Sequence, residues 1–363
     1  MFQQPLPPEY MLLSPEAAAE RIGRAREQLG DTTVLLGHHY QRDEIIRWVD
    51  YTGDSLKLSQ HAAAETHARY FVFCGVHFMA ETADILTRED QAVILPNMAA
   101  GCSMADMARL SQVEYAWNHI AAAVPHARVV PVTYVNSAAN LKAFVGRKGG
   151  LCCTSSNARQ VLEWAWTHGD KVFFFPDQHL GRNTGVFMGL DPDTDMVLWD
   201  PQVPGGGVAP AHLESARLIL WKGHCSVHQR FTVDQIREAR AKYPNVRVIV
   251  HPECSLDVVR EADLVGSTEF ILKSVRAGEP GSVWAVGTEI NLVRRMQDQM
   301  PDRKVFCLDP IVCPCSTMYR IHPRYLAWVL EHLAEGTILN RVVVPEPDRT
   351  QARVALERML SLS

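Results

Sequence analysis

Nine cysteines punctuate the chain, at positions 74, 102, 152, 153, 225, 254, 307, 313 and 315. Three stand out by their surroundings. Cys102 follows Gly101 and precedes Ser103 and Asp106, Cys225 lies in the string Trp221-Lys222-Gly223-His224-Cys225, and Cys315 lies in Cys313-Pro314-Cys315-Ser316-Thr317-Met318. Each stands just past an apolar run, so each is expected in a loop after a strand. A thiol that opens a helix has a stabilised thiolate. Three widely separated thiolates suit a metal centre assembled from distant parts of the chain. The spacing is neither that of a simple zinc site nor the redox C-x-x-C pattern. Soft thiolates also select iron–sulfur clusters, and three of them would leave one iron of a cubane open to a substrate. On spacing alone a cluster, a zinc site and plain buried thiols all stay open.

The elements that must position these groups alternate. Apolar runs at 32–40, 69–76, 92–97, 127–135, 171–177, 216–223, 246–253, 282–289 and 304–310 are strand candidates. Helical patterns lie between them. One is 232–244, with Thr232 as cap and Ile236 and Ala239 on one face. Such alternation predicts parallel sheets covered by helices. Most runs end in polar, glycine or cysteine residues, where ligands bind in open α/β sheets. Blocks closing near Cys102, Cys225 and Cys315 predict three similar αβα domains. The Pro- and Gly-rich stretch 182–213 reads as a loop excursion.

With 363 residues, 47% of them apolar, the chain can bury a sizeable core. A net charge of −5 without a basic stripe argues against nucleic acid and membrane surfaces as partners. The first residues lack the pattern of a signal peptide, and no apolar run is long enough to span a bilayer. A cytoplasmic location is expected, where cysteines are not expected to be disulfides.

Many short motifs, in order over residues 30–325, resemble the quinolinate synthase family. They include GHHYQRDEI (37–45), GDSLKLSQ (53–60), FCGVHFMAETADIL (73–86), GCSMADMA (101–108), YVNS (134–137) and CTSSNA (153–158). They continue with KGHCSVH (222–228), HPEC (251–254), GST (266–268), GTE (287–289) and CPCSTMYRIHP (313–323). The resemblance implies three αβα domains in a pseudo-threefold arrangement around a central active site. These would span 1–107, 108–229 and 230–318, with the tail 319–363 packing back on the first. It implies a [4Fe–4S] cluster held by Cys102, Cys225 and Cys315, with Cys307 and Cys313 as spares. A Cys313–Cys315 link is disfavoured, because neighbours two apart make a strained ring.

The implied reaction, a step of NAD biosynthesis, condenses iminoaspartate with dihydroxyacetone phosphate to quinolinate, losing phosphate and water. An aspartate oxidase or dehydrogenase would supply the imine. No net redox occurs, so the open iron is implied as a Lewis acid. His38, Tyr40, Tyr134 and Glu253 are the implied catalytic groups. His38, Ser55, Tyr134, Asn136, Ser155, His251, Glu253, Ser267 and Thr268 are the implied substrate contacts. Strand alternation turns His39 away from His38 and lets Tyr134 and Asn136 share a face. His251 and Glu253 flank Pro252 and also share one. Ser155 is expected to open a helix and offer N–H groups to an anion. Ser55 has a helix cap as its competing reading, and Ser267-Thr268 has a helix start. His77, His179, His224 and His228 are read as structural or supporting, Thr288 and Glu289 as orienting groups. Glu81 and Asp84 are expected to face the cavity or cap a helix.

Two other classes compete. One is a zinc-dependent lyase or hydrolase using His38, His251 and a cysteine. The other is a non-enzymatic iron–sulfur sensor, against which stand the many strand-end polar groups and the lack of a basic DNA-reading motif.

Overall fold

The computed structural model describes residues 3–311 and 314–362, and Cys313 lies outside them. In chain order its strands are Thr33–His38 (β1), Tyr51–Gly53 (β2), Tyr70–Cys74 (β3), Ala92–Ile94 (β4), Val129–Tyr134 (β5), Leu151–Cys153 (β6) and Lys171–Phe175 (β7). They continue with Met196–Trp199 (β8), Leu218–Trp221 (β9), Arg247–Val250 (β10), Leu264–Val265 (β11), Val283–Gly287 (β12), Lys304–Cys307 (β13) and Arg341–Val342 (β14). A parallel strand is buried on both faces, so its sequence is apolar throughout. β7 and β9 show this, with every residue buried.

The strands form three sheets, ordered β14-β4-β3-β1-β2, β6-β5-β7-β9-β8 and β11-β10-β12-β13. All pairings are parallel except β14 with β4. The expected α/β class is therefore what the chain adopts. In each sheet the first strand lies between the second and third: β1 between β2 and β3, β5 between β6 and β7, β10 between β11 and β12. The order thus reverses beside β1, β5 and β10. Crevices for ligands open at the carboxyl ends of strands at such points.

The nine expected strands all form. The sequence missed β2, β6, β8, β11 and β14, four of them only two or three residues long. The stretch 182–213 is not simply a loop. Helix Gln178–Phe187 fills its start, β8 forms a sheet edge, and helix Pro210–Ser215 ends it. Aspartates at 191, 193, 195 and 200 flank the short apolar run of β8 and hide it.

By packing, residues 3–102, 290–292 and 314–345 form one unit and the remaining described residues a second. The first unit carries the β1 sheet. Its helix Pro15–Leu29, capped by Ser14, packs on helix Pro323–Ala334. Glu331 ties the two by accepting from Tyr10 Oη and Arg21 Nε, both at 2.7 Å. Asp84 lies inside helix His77–Leu86 rather than at its cap, and its Oδ2 accepts from Val344 N just beyond β14. The second unit carries the β5 and β10 sheets. The tail 319–363 is expected on the first domain, but its last helix, Asp348–Leu360, packs on helix Ala139–Arg147 of the second unit. Gly146 makes this contact close. A Cβ there would lie 2.0 Å from the Gln351 carbonyl oxygen.

Candidate active site

Cys102, Cys225 and Cys315 share a local geometry. Each stands three residues before a single 3₁₀ turn, at Ala105–Met107, His228–Arg230 and Met318–Arg320. Each also stands eight residues before a helix, at Leu110–Ala123, Val233–Lys242 and Pro323–Ala334. In two of them the cysteine carbonyl accepts the turn's backbone N–H, from Gln229 at 3.0 Å and from Tyr319 at 2.9 Å. All three cysteines are followed by serine, at 102–103, 225–226 and 315–316, a dipeptide that Cys254-Ser255 shares without the same spacing to its helix.

Within the first unit the Cys102 and Cys315 loops are fastened together. Asn97 Nδ2 donates to Arg320 O, and an Arg320 guanidinium N–H donates to Ala99 O, both at 3.1 Å. Gln41, just past β1, donates to Met318 O at 3.2 Å, and Arg42 donates to Tyr319 O at 2.7 Å. The Arg42 guanidinium also sits 3.5 Å over the Tyr319 ring. The three loop thiols are half-buried. By contrast Cys74, Cys152, Cys153 and Cys254 are fully enclosed. Burial pushes Cys74 and Cys152 up to about 12 and raises Cys153 and Cys254 as well. Cys307 is pushed up to about 11, again chiefly by burial. Those five thiols are poor metal donors, whereas the loop set fits a thiolate-ligated group.

The second unit gathers a polar network at the ends of β5 and β10. Tyr134, the last residue of β5, donates its phenol to Glu253 Oε1 at 2.7 Å. His228 Nδ1 lies 2.8 Å from Glu253 Oε2, and its Nε2 lies 3.1 Å from Thr288 Oγ1 just past β12. The His251 ring stacks on His228 at 4.3 Å. All five residues are at most 4% exposed. Burial drives the Glu253 carboxyl up, but His251, His228 and the hydrogen bonds from His228 and Tyr134 outweigh it and hold it at about 2. His251 is pushed down to about 3, by burial and then by His228, so its ring is neutral at pH 7. The hydrogen bonds are therefore what keep Glu253 ionised near neutrality. Donor atoms of Cys225, His228 and Glu253 lie within 4.8 Å of one another.

His228 was read as a supporting residue, and here it occupies the centre. Its place on the 3₁₀ turn three residues after Cys225 was the available signal. Asp177 was also missed. It follows β7, is fully buried, and caps helix Gln178–Phe187 through Leu180 N at 2.7 Å. Burial and the nearby Glu253 charge push its carboxyl well up. Asn183 Nδ2 donates to Pro252 O and Cys254 O, both at 2.8 Å, and so clamps the turn that carries Glu253. Asn136 Oδ1, Asp177 Oδ2, His179 Nδ1 and Asn183 Oδ1 are buried with no hydrogen-bond partner among the described residues. Such orphaned atoms mark a place where a ligand or ordered water supplies the missing bonds. The buried Lys142 ammonium donates to Ser137 O and fixes the turn that carries Asn136.

In the first unit His38 ends β1, with its ring 4.7 Å from that of Tyr40 and its Nδ1 accepting from Tyr40 N at 3.1 Å. Ser55 is not the helix cap. Asp54 is, accepting from Lys57 N at 2.9 Å, and Ser55 opens helix Ser55–Ala64. Ser155 does not open a helix. It lies in the turn closed by Asn157 Oδ1 accepting from Thr154 N, and the helix begins at Ala158. The Ser155 side chain approaches the Tyr134 phenol. Ser267 is a helix cap, accepting from Phe270 N at 3.4 Å, and Thr268 is the first helical residue. Both are buried at the end of β11.

Parallel sheets whose strand ends present buried acid–base groups, together with half-buried thiols able to bind metal, define an α/β enzyme. The family model described as Quinolinate synthetase A protein matches residues 20–361. The quinolinate synthase of Corynebacterium glutamicum is 56% identical over 360 residues, 99% of this chain and 91% of that protein. That of Geobacillus thermodenitrificans is 50% identical over 361 residues, 99% of this chain and 97% of that protein. The chain belongs to the quinolinate synthetase A family, enzymes of NAD biosynthesis. Among the described residues, no helix is long and apolar enough to cross a membrane.

Proposed function

We propose that the chain condenses iminoaspartate with dihydroxyacetone phosphate to quinolinate, with Cys102, Cys225 and Cys315 holding a [4Fe–4S] cluster. The observation that carries this reading is the Tyr134–Glu253–His228–Thr288 network beside the Cys225 thiol. The shared 3₁₀ geometry of the three cysteine loops supports them as a ligand set. When bound, the cluster supplies a Lewis-acidic iron for a substrate nitrogen or oxygen.

The chain's own residues then bind substrate and move protons. Glu253, buried yet ionised, accepts a proton from substrate carbon or nitrogen. Tyr134 donates to it and can pass a proton towards a leaving hydroxyl. His228 links Glu253 to Thr288 and can carry the displaced charge away. Neutral His251, whose Nδ1 accepts from Glu253 N at 3.3 Å, offers its Nε2–H as a donor beside them. His38 and Tyr40 serve as further proton-handling groups, and Ser55, Asn136, Ser155, Ser267 and Thr268 take the carboxylates and phosphate. Imines hydrolyse readily in water, so an aspartate oxidase or dehydrogenase in the same compartment, the cytoplasm, would supply iminoaspartate.

Zinc has a specific observation in its favour: Cys225, His228 and Glu253 offer sulfur, nitrogen and oxygen within one site. Against it, both His228 nitrogens already have protein partners. The test is anaerobic purification, iron and acid-labile sulfide determination, and a quinolinate assay. Iron with matching sulfide is expected, and Cys102→Ala, Cys225→Ala and Cys315→Ala should each lose the visible absorbance. Cys313→Ala and Cys254→Ala should keep it. Zinc without sulfide would overturn the cluster assignment.

A further inference from the structure

Beside the strand-end network the second unit contains an open cleft of about 740 Å³. That is the size of a small-molecule site. Its floor touches the proposed active site at three places. Pro252 lies between His251 and Glu253, Ser155 approaches Tyr134, and Gly266 immediately precedes Ser267. Its rim carries Arg159, Arg260, Phe187 and Phe270. The two phenylalanines are 54% and 42% exposed, unusual for such large apolar rings. Phe270 is held there by Gly266: a Cβ on that glycine would lie 2.2 Å from the ring.

The charge of the lining is one-sided. Asp263 is its only acid, and Arg240 pairs with it at 3.1 Å while Val248 N donates to it at 2.6 Å. Among the described residues Arg159 pairs with Glu163, outside the lining, in an ion pair with both side chains more than half exposed. Such a pair is worth little and exchanges readily for another anion. The cleft thus presents two guanidiniums on a chain whose net charge is −5. A protein of that net charge repels anions overall, so small dianions reach it fastest where the local field is positive.

We infer that this cleft is the entrance for the phosphorylated three-carbon substrate, captured at its rim by Arg159 and Arg260 and passed over Pro252 and Ser155 to the strand ends. The inference rests on the proposed reaction for the identity of its ligand, and the two are separable by experiment. Guanidinium forks match phosphate oxygens in geometry, and the exposed rings give the carbon skeleton an apolar wall.

The test titrates the cluster-loaded protein with dihydroxyacetone phosphate alone by calorimetry, and separately assays quinolinate. Combining Arg159→Ala with Arg260→Ala should weaken binding about tenfold or more at low ionic strength, with the difference shrinking as salt screens it. Turnover at saturating substrate, cluster absorbance and melting temperature should stay as in the parent, and KM for iminoaspartate should not rise. Arg237→Ala, which removes one guanidinium from an exposed helix, should change nothing. Unchanged binding in the double variant overturns the inference, as does a loss equal at low and high salt, or one matched by Arg237→Ala. A rise in KM for iminoaspartate alone would also overturn it, assigning the cleft to the other substrate. Arginine-dependent binding without quinolinate formation would instead remove the reaction and keep the cleft.

Discussion

Glu253 accepts two hydrogen bonds that an amide cannot reproduce. Tyr134 donates to one oxygen and His228 meets the other, so Glu253→Gln must turn its NH₂ towards one of these partners. The variant is expected to fold and keep its metal, with turnover down by about 10²–10⁴-fold, the usual contribution of a general acid–base group. Near-parental quinolinate formation in a metal-replete sample would remove Glu253 from the chemistry. His228→Asn should show a loss of similar order, because it breaks the link to Thr288. Only part of this site was legible beforehand. Tyr134 ends β5 and His251 directly follows β10, so the apolar runs pointed to them, and Glu253 lies in the turn that follows His251. His228 and Asp177 reach the network from a 3₁₀ turn and a helix cap, whose directions depend on how the following helix packs. Ser155 stands in a turn and not at a helix start, because Asn157 closes that turn, and at Ser55 the competing cap role falls to Asp54.

Among the elements, the nine expected strands were readable because parallel strands need no alternation, only an unbroken apolar run in the sequence around them. The five missed strands are short edge pieces that gain their identity from a neighbour's backbone rather than their own side chains. The last helix is the clearest case. Its partner is chosen by Gly146, which lets the Gln351 carbonyl lie against helix Ala139–Arg147. Arg147 pairs with Asp348 at 3.1 Å and Arg358 donates to Gly150 O at 2.7 Å, both across the same contact. Gly146→Ala should therefore lift the helix. The cost should be about 1–3 kcal/mol, as for other over-packed contacts. Thermal melting should shift down by several degrees, and limited proteolysis should cut first near residues 346–348. A variant with unchanged melting and proteolysis would show that the contact is not held by this glycine. The repeated loop geometry of Cys102, Cys225 and Cys315 belongs to this scale too. Cys-Ser alone does not single it out in the sequence, because Cys254-Ser255 also precedes a helix, at Leu256; the shared eight-residue spacing to the helix does.

For the whole molecule, buried titrating groups should set the pH range of stability. The His251 ring stays neutral in the folded chain down to about 3, against 6.5 for the unfolded chain. Between those values the unfolded state binds the extra proton, so stability falls as pH drops, by about 1.4 kcal/mol per pH unit. Glu253, held at about 2 against 4.5, binds its proton later when folded. It adds a second loss as pH falls from 4.5 towards 2. On the alkaline side the thiols of Cys74 and Cys152 keep their protons to about 12, against 9.0 when unfolded. The unfolded state there releases protons first, so stability falls again as pH rises from 9.0 towards 12. Maximum stability is thus expected between about pH 6.5 and 9. The raised Asp177 carboxyl works in the opposite sense over part of the acid range, because the folded state binds its proton more tightly. Urea midpoints measured across pH 4.5–6.5 at constant metal content should fall with acid more steeply in the parent chain than in a variant without the His251 ring. His251→Asn has no imidazole to protonate, and its midpoint should lose most of that slope. Equal slopes in the two proteins would mean that His251 takes up its proton in the folded state, and that a different group governs the acid limit.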